Sequence, residues 1–219
     1  MIKAVLFDMD GTICDSFPLM IRALREATAP YVPRPITDEE FMDALGPNEA
    51  GIITNLLGDR YGEANKLYNE LYGRYLPEMC PAPFDGIREI FDYLKTTGVK
   101  TALVTGKNEE SCQMTLRAFG MTGVFDAVEY GSPIGSRKAE AMRIILGKFG
   151  IRPDEAIYIG DAPSDVTISH SVGLSAVSVL WAPSTDADET RLAGAEKICE
   201  STDELLAYLQ EILSENRKS

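Results

Sequence analysis

The chain has 219 residues, of which 45% are hydrophobic and 25% charged, a composition that is typical of folded globular proteins and excludes disordered and fibrous classes. Its 34 acidic and 21 basic residues leave a net charge of -13, which disfavours nucleic acid and anionic lipid as partners because both would be repelled. The 4 cysteines are scattered, no apolar run reaches membrane-spanning length and no signal-peptide core precedes the first aspartate, so we expect free thiols and a cytoplasmic protein.

The first predicted element is a buried strand that runs out into a turn with two aspartates. Residues 2–7 form a short, largely apolar segment, as is typical of a buried strand. Asp8 then lies at the carboxyl end of the strand, and Asp10 points the same way if the extended geometry persists for two residues. Gly11 permits a sharp exit. Two like charges held this close favour a hard divalent cation such as Mg²⁺.

Residues 17–79 change character and read as helical. Apolar residues recur there at helical spacing, and no convincing strand interrupts them. Prolines cluster near residues 30–35 and 80–83, where they mark linkers rather than the interiors of helices. We therefore predict an all-helical cap over residues 15–82, inserted into an α/β core of residues 1–14 and 83–219.

From residue 84 onward, short apolar segments alternate with helical ones. The segments with the character of buried strands are residues 99–104, 127–130, 156–159 and 175–180. This alternation predicts crossover helices and an α/β fold, a parallel Rossmann-like sheet with helices on both faces. In open sheets of this kind, ligands bind beyond the carboxyl ends of the strands.

Polar residues of a few chemical types stand just after the predicted strands. They are Thr105 and Gly106 after the second strand, Lys138 after the third, and Asp161 and Asp165 after the fourth. Each has an ordinary alternative: a threonine also caps helices, a lysine also lies in solvent, and an aspartate also fills a turn. Together with Asp8 and Asp10, however, they supply acidic groups for a metal, a hydroxyl and an ammonium for a phosphate, and a carboxylate that can attack phosphorus.

Four motifs carry a resemblance to a known family. FDMDGT, VTGK, the lysine of SRKAEAM, and GDAPSD, with a helical insertion after the first, resemble the motifs of the haloacid dehalogenase-like phosphatase superfamily. The subgroup that the chain resembles is the phosphoglycolate phosphatase-like one with a helical cap. Two departures stand out: Gly106 replaces a frequent asparagine, and Ala139 replaces a proline that often follows the motif lysine. The second departure leaves open whether Lys138 or Arg137 holds the phosphate.

The resemblance implies a role for each motif residue. Asp8 would become an aspartyl phosphate, and Asp10 would protonate the leaving oxygen and then activate water. The phosphoryl group would be held by Thr105, Gly106 and Lys138. Mg²⁺ would be bound by Asp8, the main-chain carbonyl of Asp10, and Asp161, with Asp165 either a ligand or a support for one. The implied substrate is a small phosphomonoester, similar to phosphoglycolate.

Other functions are weighed against this one. A sugar-phosphate mutase of the same superfamily shares nearly everything, but Thr12 is typical of the hydrolases. Inorganic pyrophosphate stays open as a substrate. A phosphoaspartate signalling receiver, which is not an enzyme, also combines acidic residues, a hydroxyl and a lysine on a parallel sheet. Its acceptor aspartate would come later in the chain, and no inserted cap is expected.

The predicted cap should close over the site and select the leaving group. Residues 14–16 and 79–83 would then act as hinges. The turn formed by Gly46, Pro47, Asn48 and Glu49 is the candidate for substrate contact, with a plain interhelical turn equally compatible with its composition. Beside Thr105, Lys107 is expected to contribute to the electrostatics.

Overall fold

The centre of the protein is a six-stranded parallel sheet. The structure is a computed structural model, and it describes residues 1–44, 48–58 and 61–215. In the sheet, the strand order is β3-β2-β1-β4-β5-β6. The strands are β1 (Ala4–Phe7), β2 (Lys100–Val104), β3 (Ala127–Glu129), β4 (Ala156–Gly160), β5 (Ser175–Val179) and β6 (Lys197–Cys199).

Helices connect the strands and supply the region between β1 and β2. They are α1 (Phe17–Thr28), α2 (Asp38–Asp43), α3 (Glu49–Leu57), α4 (Tyr61–Met79), α5 (Ile87–Thr97), α6 (Glu109–Ala118), α7 (Lys138–Phe149), α8 (Pro163–Val172), α9 (Ala187–Leu192) and α10 (Thr202–Glu215). The predicted α/β class with a parallel sheet is confirmed. Within the described ranges, no helix is both long enough and apolar enough to cross a membrane.

Strand β1 lies between β2 and β4 and is buried on both faces. Alternate side chains point to opposite sides of a strand, so its residues divide between two apolar clusters. Phe7 belongs to the cluster on the α5 side, where its ring centroid is 4.9 Å from that of Phe91. Leu6 belongs to the opposite cluster, together with Met142 of α7. The first predicted strand is therefore a central one, as its uniformly apolar sequence requires.

Helix α5 shows how the apolar pattern positions a helix on the sheet. Its buried residues are Ile87, Ile90, Phe91 and Leu94, which lie on one face because they are spaced by three or four residues. The helix ends at Gly98, whose φ of 75° lies in the left-handed region that favours glycine. The chain then enters β2 two residues later.

In the described part of residues 15–82, the regular elements are α1 to α4 and one short 3-10 helix. Helix α1 packs against α4 and buries Leu19 and Leu24, while α4 buries Tyr68 and Tyr72. Outside the buried contact, the Arg22 guanidinium lies 4.0 Å from the centroid of the Tyr75 ring. The helical character of the region is as predicted, and its division from the core at residues 15 and 82 stays a prediction.

The structure adds elements at the carboxyl end of the chain that the sequence pattern did not indicate. Strand β6 has three residues and extends the sheet beyond β5. Helix α10 buries Leu205, Leu209 and Leu213, and it packs against α5. Strand β6, unlike the equally short β3, was not predicted, because its two apolar residues, Ile198 and Cys199, lie between charged residues and show no apolar alternation.

Candidate active site

The candidate site begins where β1 ends. Phe7 pairs with Leu103 on β2 and with Ile159 on β4, so the next residue, Asp8, emerges between the ends of two neighbouring strands. The Asp8 amide donates to the Ile159 carbonyl oxygen at 2.9 Å. Asp8 Oδ1 accepts the amide of Met9 at 2.7 Å. This aspartate is only 7% exposed, and the hydrogen bond from the Met9 amide orients its carboxylate.

Lys138 reaches this carboxylate from the first residue of α7. Its Nζ donates to Asp8 Oδ2 at 2.6 Å and to Asp165 Oδ1 at 2.7 Å. Burial alone would lower the pKa of the Lys138 ammonium, but Asp165 and Asp8 outweigh this effect and hold the pKa well above its ordinary value. Lys138 is therefore a charged group in contact with two of the predicted site carboxylates.

Arg137 has other partners. Its guanidinium lies 3.5 Å from Glu129 and 3.6 Å from Glu140, and it donates to the main-chain oxygen of Tyr130 at 3.4 Å. Of the two basic residues that the sequence left as rivals, the structure thus brings Lys138 to Asp8 and directs Arg137 toward glutamates.

Three carboxylates converge in front of Lys138. Asp8, Asp161 and Asp165 each offer an oxygen, and these oxygens all lie within 4.8 Å of one another. Burial raises the pKa of Asp8 to about 7, although Lys138 acts in the opposite direction. Burial and the neighbouring Asp165 raise the pKa of Asp161 to about 6. Such a set of crowded hard oxygen donors fits a divalent cation, whose charge would relieve the repulsion.

Gly11 allows the first turn to approach this cluster. Its φ is 75°, and a Cβ placed on it would lie 2.1 Å from Asp161 Oδ2. A side chain would therefore meet the Asp161 carboxylate, besides being strained by the backbone conformation. The glycine of FDMDGT is required both for the turn and for the proximity of the two acidic segments.

Asp10 contacts a different group of side chains. Its Oδ1 accepts hydrogen bonds from Ser16 Oγ and, at 3.2 Å, from Lys107 Nζ. The Asp10 side chain is 28% exposed, whereas that of Lys107 is 1% exposed. Asp8 and Asp10 thus have different surroundings: Asp8 lies between Lys138 and two further carboxylates, whereas Asp10 contacts Lys107 and Ser16.

Thr105 follows β2 and is 2% exposed. Its amide donates to the carbonyl oxygen of Glu129, and its Oγ1 accepts the amide of Lys107 at 3.2 Å. The N-cap of α6 is instead Asn108, whose Oδ1 accepts the amide of Ser111 at 2.8 Å. The alternative in which Thr105 serves to cap the next helix is therefore wrong.

A cavity of about 280 Å³ opens beside the motif residues. It is bounded by the segments that follow β2, β3 and β4, so it lies at the carboxyl edge of the sheet, where ligands of open parallel sheets bind. Its lining residues are Thr105, Gly106, Gly131, Ser136, Arg137, Lys138, Ser164 and Ile168. Thr105, Gly106 and Lys138, which were predicted to hold the phosphoryl group, are among them, whereas Asp8 and the described residues of the predicted substrate loop are not.

Half of the predicted substrate loop can be located. Gly46 and Pro47 lie outside the described residues. Asn48 caps α3, and its Oδ1 accepts the amide of Gly51 at 2.8 Å. Glu49 is 1% exposed and lies 3.6 Å from Lys107. Sequence reasoning treated Glu49 as part of a turn between two helices that contacts substrate, because nothing in the local pattern marks a buried ion pair.

The segment after β5 contributes Thr185 and Thr190, two residues that sequence reasoning missed. Thr185 Oγ1 donates to Asp161 Oδ2 at 2.8 Å, and Thr190 Oγ1 donates to the Asp161 main-chain oxygen at 3.0 Å. Trp181 Nε1 donates to the Thr12 carbonyl oxygen at 3.1 Å. The search for polar residues at strand ends, extended past β5, would have found Thr185.

The fold is an α/β one, with acidic and basic side chains clustered at the carboxyl edge of a parallel sheet. The model of the haloacid dehalogenase-like hydrolase family matches residues 5–179. The chain belongs to this family. The predicted superfamily and the prediction of an enzyme are thereby confirmed.

Curated relatives agree with this assignment. A pyrophosphatase PpaX from Bacillus velezensis is 26% identical over 182 residues, covering 82% of this chain and 84% of the relative. A phosphoglycolate phosphatase from Synechococcus elongatus is 27% identical over 181 residues, covering 82% of this chain and 84% of the relative. The chain is therefore similar to phosphatases of the phosphoglycolate phosphatase-like type.

Solved structures share the fold. A predicted phosphoglycolate phosphatase from Haemophilus somnus superposes with a TM-score of 0.79 at 21% identity, covering 95% of this chain and 98% of the other. CbbY from Rhodobacter sphaeroides in complex with phosphate superposes with a TM-score of 0.77 at 21% identity, covering 94% and 96%. At this identity the likeness concerns the fold alone.

Proposed function

We propose that this hydrolase cleaves a small phosphomonoester, similar to phosphoglycolate, in two steps on Asp8. One observation carries the proposal: a buried Asp8 carboxylate is held at the end of the central strand, with the Lys138 ammonium at 2.6 Å and two further aspartates close by. Those are the parts that transfer of a phosphoryl group to a carboxylate needs. The family and its phosphatase relatives support the same reading.

In the first step, an Asp8 oxygen forms a bond to phosphorus while the bond from phosphorus to the ester oxygen breaks. Asp10 gives its proton to that departing oxygen, so the alcohol leaves neutral. In the second step, Asp10 takes a proton from water as the water oxygen bonds to phosphorus. The bond between phosphorus and Asp8 then breaks, which releases inorganic phosphate and restores the carboxylate.

The residues that would hold Mg²⁺ are Asp8, Asp161, Asp165 and the main-chain carbonyl of Asp10. The converging oxygens of the three side chains and the raised pKa values of Asp8 and Asp161 support this donor set. When bound, the ion supplies positive charge that offsets the repulsion between carboxylate and phosphate. Lys138 supplies a second positive charge beside Asp8.

Thr105, Gly106 and Lys138 would bind the phosphoryl oxygens. They line a common cavity of about 280 Å³, a volume that suits a small ligand. Residues 15–82 would form the cap that closes over this cavity, with hinges at residues 14–16 and 79–83. Closure would exclude bulk water and select the leaving group.

Inorganic pyrophosphate is a second candidate substrate. The observation that favours it is the similarity to pyrophosphatases PpaX, which extends over 82% of this chain. In that reaction the leaving group would be phosphate itself, and Asp8 and Asp10 would keep their roles. We also propose a cytoplasmic location, which the four buried, free thiols support.

The test is a phosphate-release screen over phosphoglycolate, sugar phosphates, nucleoside monophosphates and pyrophosphate, with Mg²⁺ and with a chelator. We expect turnover of at least one small ester with Mg²⁺ and none with chelator. The matched variant is Asp8→Asn, which keeps the shape of the side chain, and we expect it to fold normally and to lose turnover at least about 1000-fold. Substantial activity in Asp8→Asn would remove Asp8 from the nucleophile role.

A further inference from the structure

Glu49, the first residue of α3, is a buried carboxylate with donors on both oxygens. Its Oε2 accepts the amide of Asn108 at 2.7 Å. Its Oε1 accepts Ser111 Oγ at 2.8 Å and Tyr68 OH at 3.1 Å. Tyr68 belongs to the predicted cap, whereas Asn108 and Ser111 belong to the start of α6 in the predicted core. Glu49 therefore fastens the cap to the segment that follows the VTGK motif.

Lys107 lies between Glu49 and the candidate acid. Its Nζ is 3.6 Å from Glu49 Oε1, 3.2 Å from Asp10 Oδ1 and 3.3 Å from Ser16 Oγ. On another side, the same ammonium lies 4.8 Å from the centroid of the Tyr72 ring. With its side chain 1% exposed, Lys107 depends on these groups for its position, because little water is available to solvate it.

These contacts form one chain of side chains from the cap to the reaction centre. Glu49 fixes one side of the Lys107 ammonium, and the other side contacts Asp10, which also accepts a hydrogen bond from Ser16. A residue held between two carboxylates orients both. Without the Glu49 charge, Lys107 would lose one of its two anionic partners and would be freer to move together with Asp10.

We propose that Glu49 is a positioning residue, which acts through Lys107 to hold Asp10 in place for proton transfer to the leaving group when the cap is closed. This rests on the proposed function, because Asp10 has to be the acid of the first step. Glu49 itself touches no reacting atom in this scheme. Its contribution is to make the geometry of the acid depend on a residue of the cap.

Glu49→Gln is the variant that best tests the proposal. A glutamine carbonyl can still accept the Asn108 amide, and its amide nitrogen can donate to the hydroxyl oxygens of Ser111 and Tyr68. The variant thus keeps the shape and the local hydrogen bonds while it removes the charge that faces Lys107. The matched control is Glu40→Gln, because Glu40 pairs with Arg34 on the exposed surface of the predicted cap.

The experiment compares phenyl phosphate with p-nitrophenyl phosphate, whose better leaving group needs less help from an acid. The readout is the single-turnover rate at which each phenol is released, with Mg²⁺ and with enzyme in saturating excess over substrate. We expect Glu49→Gln to slow phenyl phosphate about tenfold and p-nitrophenyl phosphate less than about threefold, a fraction of the full effect of a general acid. Glu40→Gln should leave both rates unchanged.

A double-variant comparison tests the route through Lys107. If Glu49 acts through Lys107, then Glu49→Gln combined with Lys107→Gln should be no slower than Lys107→Gln alone. Should Glu49→Gln fold poorly, Ser111→Ala removes one hydrogen bond from the same carboxylate and should shift the ratio of the two rates in the same direction.

Several outcomes overturn the inference. Equal slowing of both substrates would show that Glu49 only supports the fold, and independent effects of the two substitutions would show that Lys107 is not the link. If Glu49→Gln changes neither rate while the wild type is active, the role of Glu49 is refuted and the proposed function is not. A wild type that hydrolyses no phosphate compound overturns the proposed function as well.

Discussion

Lys138 and Asp8 lie 130 residues apart in the chain, and the Lys138 Nζ is 2.6 Å from Asp8 Oδ2. The same ammonium is 2.7 Å from Asp165 Oδ1. One cation therefore offsets two buried carboxylates that the parallel sheet forces together. This relationship explains how acidic residues from separate strand ends can share a site.

Substitutions at Lys138 and Arg137 should show which of the two residues binds the phosphoryl group. We expect Lys138→Met to lower kcat/KM at least about 100-fold, because a phosphoryl group and the Asp8 carboxylate both lose a positive partner. Arg137→Gln is the control and should lose less than about fivefold, since the Arg137 guanidinium is directed toward Glu129 and Glu140. Steady-state kinetics on the best substrate of the screen would decide; the opposite ranking would assign the phosphate to Arg137.

Gly11→Ala should weaken the proposed metal site in addition to straining the backbone at Gly11. A Cβ at Gly11 would lie 2.1 Å from Asp161 Oδ2, so the carboxylate has to move. We expect affinity for Mg²⁺ to fall at least about tenfold, as measured by titration calorimetry.

Gly98→Ala is the matched control for Gly11→Ala. Gly98 has the same φ of 75°, and apart from its chain neighbours no atom of the described residues lies within 4 Å of the position that its Cβ would take. Both variants should lose about 1 kcal/mol of unfolding free energy from the positive φ. Only Gly11→Ala should lose affinity for Mg²⁺, and an equal loss in Gly98→Ala would refute the steric explanation.

Binding of Mg²⁺ should release protons at low pH. The pKa of Asp8 is raised to about 7 and that of Asp161 to about 6, so both carboxyls are substantially protonated at pH 5.5 to 6 without the ion. A metal ion binds the deprotonated form, so its affinity should fall as the pH drops below about 7.

Calorimetry in buffers of different ionisation enthalpy measures that proton release. We expect roughly one proton or more to be released for each ion bound near pH 6, and almost none near pH 8.5. Asp8→Asn should release fewer protons near pH 6 because one of the two titrating groups is gone. Binding without proton release near pH 6 would contradict the prediction.

Thr185→Val should weaken binding of Mg²⁺, although Thr185 is not itself one of the proposed ligands. Thr185 Oγ1 donates to Asp161 Oδ2 at 2.8 Å and so helps to orient that carboxylate. We expect a loss of affinity of about tenfold, as is usual when a group that orients a metal ligand is removed. Ser184→Ala, at an exposed neighbouring position, should bind the ion like the wild type. Equal affinity of both variants would exclude a role for Thr185.

Much of the fold could be predicted because its signals are local. Residues 156–159 and 175–180 were predicted as strands, and the structure has β4 at Ala156–Gly160 and β5 at Ser175–Val179. Short apolar runs and helical spacing depend on neighbouring residues alone. Strand β6 was missed because Ile198 and Cys199 lie between charged residues, and its place in the sheet depends on pairing with β5.

The candidate site divides in the same way. Asp8, Thr105 and Asp161 were predicted because each follows a strand, and parallel strands end at one edge of a sheet. Glu49 and Thr185 were not assigned their partners, because their contacts join segments that are far apart in sequence. No local pattern encodes such pairs.

The sequence by itself determined the α/β class, the family and the types of group that meet at the sheet edge, since periodicity and strand-end chemistry are properties of short segments. The tertiary structure alone decided that Lys138 rather than Arg137 reaches Asp8, and that Lys107 bridges Asp10 and Glu49. Those choices depend on distances of a few ångströms between distant segments. Such distances are set by how helices pack on the sheet, which is a property of the whole chain.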